Sequence, residues 1–326
     1  MLSIRGLNKS FDNQKVIKQL NLNVQRGEII SIVGSSGSGK TTLLRLVSGL
    51  EIPDSGQIIL NDQDVNSANI YVPPERRDCS LVFQDYALFP NMTMLQNIYF
   101  GRNSSKNKAR IKYLIKITKI EKVIDKFPHE CSGGEQQRVA LVRSMAINPS
   151  LILMDEPLSN LDYNLKANLG MIIREFIKEL KTTAIIVTHD IIDAMKISDK
   201  IVVLDDGQII QKGPPNEIYN NPNSKKVALL FGETNFIPLS MFPHEKNYFI
   251  DGVSNIPLIS IRPSQFSVFD ENMVAKGKVF SGEIHSLNKI GSKIRIELKC
   301  DDLIIYISLN NSEKLVIGQK IKVMVS

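Results

Sequence analysis

The run Gly34-Ser35-Ser36-Gly37-Ser38-Gly39-Lys40-Thr41 carries the clearest chemistry in this chain. Small residues between Gly34 and Gly39 let successive backbone N–H groups turn inward around an anion. Lys40 then supplies an ammonium that reaches the β- and γ-phosphates of a nucleoside triphosphate, the Thr41 hydroxyl can complete a magnesium shell, and Thr42 continues the same helical turn. The implied ligand is a nucleoside triphosphate.

Other side chains extend that chemistry. Asp155 and Glu156 end the apolar run Leu151-Ile152-Leu153-Met154, so Asp155 can hold magnesium and Glu156 can orient and deprotonate a water. Gln84 follows Leu81-Val82-Phe83, where its amide oxygen can touch the same metal or water. His189 follows Thr182 to Val187 and can hydrogen-bond a γ-phosphate or its water. Ser132-Gly133-Gly134 opens the helical run Glu135 to Ala146 as a second anion-binding N-terminus. Phe11, in the polar turn Lys9 to Asn13, either anchors a core or stacks on adenine.

These residues need a rigid frame. The glycine loop lies between the apolar run Ile29 to Val33 and the amphipathic run Thr42 to Val47, which reads as strand, loop and helix. Uninterrupted apolar runs such as Leu151 to Met154 read as parallel strands buried on both faces. In a doubly wound sheet the residues following such strands share one crevice. Short β-rich runs before Ile29 predict a small β layer, and Asp85 to Asn148 reads as mainly helical. Within it, Arg102 to Phe127 spaces lysines around Tyr113, Ile117, Ile120 and Ile124. That pattern fits either a solvated helix face or a surface near anionic lipid. Ile201 to Gln211 reads as a hairpin turning at Asp206-Gly207.

Composition bounds the class. With 43% hydrophobic and 23% charged residues the chain has a globular composition, and its 326 residues suggest more than one domain. No apolar run approaches the ~18 residues that cross a bilayer. The N-terminal residues Met1 to Arg5 read as a first strand and not as a signal peptide, so a cytosolic location is expected. Cys79, Cys131 and Cys300 lack metal-ligand spacing. The net charge of +6 is diffuse and does not call for nucleic acid.

With the phosphate loop, Gln84, the Ser132-Gly133-Gly134 segment, Leu151 to Glu156, the turn Ser159 to Asp162 and His189 in this order, residues 1–235 resemble the ATP-binding cassette ATPases. The resemblance implies a P-loop α/β core with an antiparallel β subdomain and a helical subdomain at about 85–148. It implies ATP and magnesium as cofactors, with Thr41, Gln84 and Asp155 at the metal and Lys40, Gln84, Glu156 and His189 in hydrolysis. It implies a head-to-tail dimer in which Ser132, Gly133 and Gly134 reach the γ-phosphate held by the opposite subunit. Asp162 joins the nucleotide contacts, Phe11 stacks on adenine, and Gln84 couples ATP binding to a membrane partner. Two positions depart from the usual signature: Cys131 replaces leucine and Glu135 replaces glutamine.

From about Phe236 short alternating strands predict a small all-β barrel over 236–326. Ile261-Arg262-Pro263 resembles the junction in the oligonucleotide-binding-like regulatory domains of prokaryotic importer ATPases. The implied protein is a peripheral ATPase on the cytoplasmic face of the membrane. Its partners would be integral-membrane permease subunits and, indirectly, an extracytoplasmic solute-binding protein. The segment Phe231 to Pro238 looks most like importers of ferric iron, then of polyamines, with sugars and anions open. The rival class is a soluble cassette ATPase acting on DNA or ribosomes, which usually carries long coiled coils or two cassettes. Here there is one phosphate loop and no sustained heptad pattern.

Overall fold

The computed structural model describes residues 1–101, 107–159, 163–270, 277–301, 303–310 and 315–325. Backbone contacts divide the chain into two compact units, Met1–Pro215 and Asn216–Ser326.

The first unit opens with β1 (Leu2–Phe11) and β2 (Gln14–Val24), an antiparallel pair. They are joined at Asp12-Asn13, both with positive φ, as a type I′ turn requires. β3 (Ile29–Val33) leads through the glycine loop into α1 (Lys40–Ser48). β4 (Ser55–Leu60), β5 (Gln63–Ser67) and β6 (Ile70–Tyr71) return beside β1, forming an antiparallel sheet of order β2-β1-β4-β5-β6. β7 (Cys79–Val82) precedes the helical segment, α2 (Met94–Tyr99), α3 (Lys108–Ile117) and α4 (Gly133–Ala146). Then come β8 (Leu151–Asp155), α5 (Tyr163–Glu179), β9 (Thr183–Val187) and α6 (Ile191–Ile197). The hairpin β10 (Lys200–Asp205) and β11 (Gln208–Gly213) follows, turning at Asp206-Gly207.

A second sheet, of order β11-β10-β3-β9-β8-β7, forms the centre of this unit. From β10 to β7 every pairing is parallel, so these strands end at one edge. Side chains alternate across it. Ile152, Met154, Ala184 and Ile186 enter the core shared with the helical segment, while Leu151, Leu153, Ile185 and Val187 enter the core shared with α1 and the antiparallel sheet. Period-two alternation between two apolar cores is why these strands read as continuous hydrophobic runs.

The basic stretch differs from the single helix its spacing predicts. Its described part is helical only over Lys108–Ile117, and Lys119, at φ 55, breaks the helix before a 3-10 turn at Glu121–Val123. Ile111 and Leu114 are its fully buried side chains, so the helix shows a narrow apolar face and an extensive solvated one.

The second unit begins at Asn216, within α7 (Pro215–Asn220), and continues with α8 (Lys225–Leu230). β12 (Asn235–Pro238), β13 (Phe249–Ile250) and β14 (Pro257–Ile261) make a three-stranded sheet of order β12-β14-β13. β15 (Phe266–Val268), β16 (Val279–Ile290), β17 (Lys293–Cys300), β18 (Leu303–Asn310) and β19 (Lys320–Val325) form a curled sheet of order β15-β19-β16-β17-β18. The alternation that predicts a barrel thus produces a half-barrel whose inner face packs Ile294, Ile296 and Leu298 with Ile305 and Ile307.

The compact units part at residue 215, whereas strand character alone changes near 235. Arg262 accounts for the difference. It is 2% exposed and donates to the carbonyls of Tyr219, Ala228 and Gly232, each at 3.0 Å, which ties the residues after Pro215 to β14.

Candidate functional site

The glycine loop is held closed by packing that only glycine permits. A side chain at Gly34 would fall 2.0 Å from the Leu204 carbonyl oxygen, and one at Gly39, at φ 101, would fall 2.9 Å from that of Val16. Gly37 is also left-handed, at φ 79, but has open space around it. The N-terminus of α1 has no side-chain cap, so its first-turn N–H groups face outward with the positive end of the helix dipole. The Ser38 hydroxyl is buried without a protein partner. An uncapped helix start and an orphaned hydroxyl fit a phosphate chain, whose oxygens accept from both.

Lys40 folds back over the loop, donating to the carbonyls of Gly34 at 3.0 Å and Ser35 at 2.8 Å. Burial pushes its ammonium below the ordinary lysine range, and the Glu156 and Asp155 carboxylates oppose that shift. Thr41 donates to Asp155 Oδ1 at 3.1 Å across the junction of α1 and β8. Burial raises the Asp155 carboxyl above its usual range, and the Thr41 hydrogen bond works against that rise. A hydroxyl and a carboxylate are hard oxygen donors suited to magnesium. Among the described residues no group of three or more Asp, Glu, His or Cys side chains could hold a metal ion by itself, so phosphate oxygens and water would complete the shell.

Glu156 sits just past β8 with φ 47, a left-handed conformation uncommon outside glycine. Its N–H bonds to the Val187 carbonyl at 2.9 Å, which fixes the turn to the end of β9. Its Oε1 lies 3.0 Å from His189 Nδ1. Ser159 donates its hydroxyl to the Glu156 carbonyl at 3.0 Å and holds the other side of the turn. Asp190 caps α6 and fixes the backbone next to His189, accepting from the N–H groups of Ile192 and Asp193.

A cleft of about 500 Å³ brings Ser36, Gly37, Gly39, Lys40, Thr41 and Thr42 together with Glu156 and His189. Gln14 and Val16 complete its wall. Motif reading does not find these two; their signal is positional, since residues i and i+2 of β2 share a face and β2 packs on Gly39. Phe11 pairs with Gln14 across the hairpin but lies outside the lining, 42% exposed, with Lys9 Nζ 4.8 Å from its ring centroid.

Gln84 lies two residues beyond β7 on an exposed turn, outside the cleft lining. Ser132, Gly133 and Gly134 also lie outside it, at the start of α4. There Glu135 closes a capping box, accepting from the Ser132 N–H at 2.8 Å and the Ser132 hydroxyl at 2.9 Å. Those bonds hold its carboxyl below the ordinary range. Asp162 lies outside the described residues.

Residues 17–159 match the family described as ABC transporter. The Fe(3+) ions import ATP-binding protein FbpC 2 of Haemophilus influenzae is 35% identical, over 99% of this chain and 94% of its own. The spermidine/putrescine import ATP-binding protein PotA of Vibrio parahaemolyticus is 42% identical over 74% of this chain and 64% of its own. Among solved structures, a dimeric ATP-binding cassette in a post-hydrolysis state bound to ADP and Pi aligns with TM-score 0.58 at 27% identity, covering 66% of this chain and 99% of that one. The cbiO1 protein of Clostridium perfringens, part of an ABC transporter complex, aligns with TM-score 0.60 at 29% identity over 67% and 90%. The chain belongs to the ATP-binding cassette transporter family, among its import ATP-binding ATPases.

Proposed function

We propose that the chain hydrolyses ATP as a head-to-tail dimer on the cytoplasmic face of a membrane, driving permease subunits that take up ferric iron from an extracytoplasmic solute-binding protein. The observation that carries the hydrolytic part is the meeting of Lys40, Thr41, Glu156 and His189 in one cleft at the ends of parallel strands, with Asp155 bonded to Thr41. A dimeric neighbour bound to ADP and Pi supports the paired arrangement. The ferric iron reading is supported by an Fe(3+) import relative that aligns over nearly the full length of both chains. A polyamine is the second reading, favoured by relatives named for spermidine and putrescine. No helix among the described residues is long and apolar enough to cross a membrane, in keeping with a peripheral subunit.

In this reading Lys40 and the α1 N-terminus orient the triphosphate, with Ser35, Ser36, Gly37, Ser38 and Thr42 enclosing it. Thr41 and Asp155 would hold magnesium, Gln84 would reach it from the turn that lies outside the cleft lining, and the ion would neutralise charge on the phosphates. Glu156 accepts a proton from the attacking water, and His189 steers the carboxylate and the γ-phosphate. Ser132, Gly133 and Gly134 act on the nucleotide of the partner subunit, Asp162 adds a nucleotide contact, and Phe11 stacks on adenine.

The test is ATP hydrolysis by the chain assembled with its permease in liposomes, supplied with binding protein loaded with ferric ion, polyamine or a sugar. Stimulation by the ferric form alone is the expected result. Stimulation by another loaded form replaces the solute. Stimulation by DNA or ribosomes, with none by any binding protein, rejects transport.

A further inference from the structure

Gln84 opens onto a backbone that is costly to form. Tyr86 and Ala87, two and three residues later, have φ 62 and 44, consecutive left-handed positions without a glycine. The turn closes through the Tyr86 N–H to the Phe83 carbonyl at 3.0 Å. One guanidinium holds both strained residues: Arg143 donates from Nη1 to the Ala87 carbonyl and from Nη2 to the Tyr86 carbonyl, each at 2.6 Å. The Tyr86 ring is anchored as well, buried in the same core as Val139, Val142 and Met145 of α4. Arg143 lies in the last turn of α4, and Ser132 caps the first. Gln84 and the Ser132-Gly133-Gly134 start are thus joined by one helix and a two-pronged charged clamp.

We propose that Arg143 is a positioning residue that couples the Gln84 turn to α4, so that displacement of the helix at its Ser132 end moves Gln84. The inference rests on the reading of Gln84 as a nucleotide-sensing residue. Arg143 touches no nucleotide; it acts through the carbonyls of Tyr86 and Ala87. A planar fork can engage both oxygens, whereas the single ammonium of lysine cannot hold the same paired geometry.

The test is a double-mutant cycle in the full chain with Arg143→Gln, Gln84→Ala and the pair, measuring kcat and KM for ATP with magnesium. Hydrogen exchange at the amides of residues 84–88, with and without ATP, is the second readout. Arg143→Gln is expected to lower kcat about tenfold with little change in KM, and the pair to lose no more than the worse single variant. ATP-linked change in exchange at 84–88 is expected to disappear in Arg143→Gln; a merely structural role would raise exchange equally with and without ATP. Arg143→Lys, which keeps charge and stem, runs the same cycle if the Gln variant does not fold, and is expected to restore only part of kcat. Additive losses, or an ATP-linked exchange change that survives, overturn the coupling and leave the Gln84 reading standing. An unchanged kcat in Gln84→Ala overturns that reading and the coupling with it.

Discussion

His189 Nδ1 and Glu156 Oε1 stand 3.0 Å apart, each just beyond the end of one of two adjacent parallel strands. Register makes the pair: Asp155 lies opposite Val187, and the Glu156 N–H bonds to the Val187 carbonyl. Glu156→Gln keeps the shape and a hydrogen-bonding oxygen for His189 but cannot accept a proton. Steady-state hydrolysis is expected to fall about 10²- to 10⁴-fold with ATP binding intact. Turnover near wild type in that variant would remove Glu156 from the base role.

The bond between Thr41 and Asp155 argues for a metal shell spanning α1 and β8. Asp155→Asn keeps an oxygen but removes the charge that a divalent ion needs. The magnesium concentration for half-maximal hydrolysis should rise about tenfold. Thr41→Ser should retain the wild-type requirement, because it keeps the hydroxyl, while Thr41→Ala should not. An unaltered magnesium titration in both Asp155→Asn and Thr41→Ala would place the ion elsewhere.

Most of this centre is legible in the chain because it rests on local rules. Gly34 to Thr41 declares a turn and a helix start, and Leu151 to Glu156 declares a buried strand with acids at its tip. Gln14 and Val16 are not legible, since their place depends on the antiparallel sheet folding over Gly39, a contact distant in sequence. The single helix read over Arg102 to Phe127 fails at Lys119 for a related reason. Lysine spacing sets a helical pattern, but the burial of Ile120 and Val123 bends the chain after Ile117. Likewise, alternation reveals the strands of the second unit, while closure into a barrel depends on edge pairing that alternation does not encode.

Asp199 predicts a pH-dependent stability. Although burial pushes its carboxyl up, donors from Lys178, the Ile29 N–H and Arg174 hold it below the ordinary aspartate range. The folded state therefore favours the carboxylate. Its stabilisation is full above the unfolded value of ~4 and is lost as pH falls through the lower folded value. Asp199→Asn should cost about 1–2 kcal/mol at pH 7, a range that allows for solvent screening of the partly exposed group. The gap from wild type should narrow below pH ~4. Urea melts at the two pH values check this, and a gap that stays constant would assign the loss to packing.

Among the described residues Arg262 forms no ion pair; its guanidinium donates to the carbonyls of Tyr219, Ala228, Gly232 and Glu233. Its guanidinium also lies 4.3 Å from the Tyr219 ring centroid. Burial pushes the guanidinium below its ordinary range, so the carbonyl dipoles and the ring are what make a charge tolerable there. Arg262→Met preserves volume but strands those oxygens, at a cost on the order of 3 kcal/mol to the second unit. Lysine should not rescue it, because one ammonium cannot span carbonyls contributed by both α7 and α8. The expected readout is faster proteolysis within residues 216–235 in both variants, while ATP binding by the first unit persists. Equal protease resistance in wild type and Arg262→Met would mean that α7 and α8 are held by their apolar contacts, Ile218, Val227 and Ala228, and not by the buried charge.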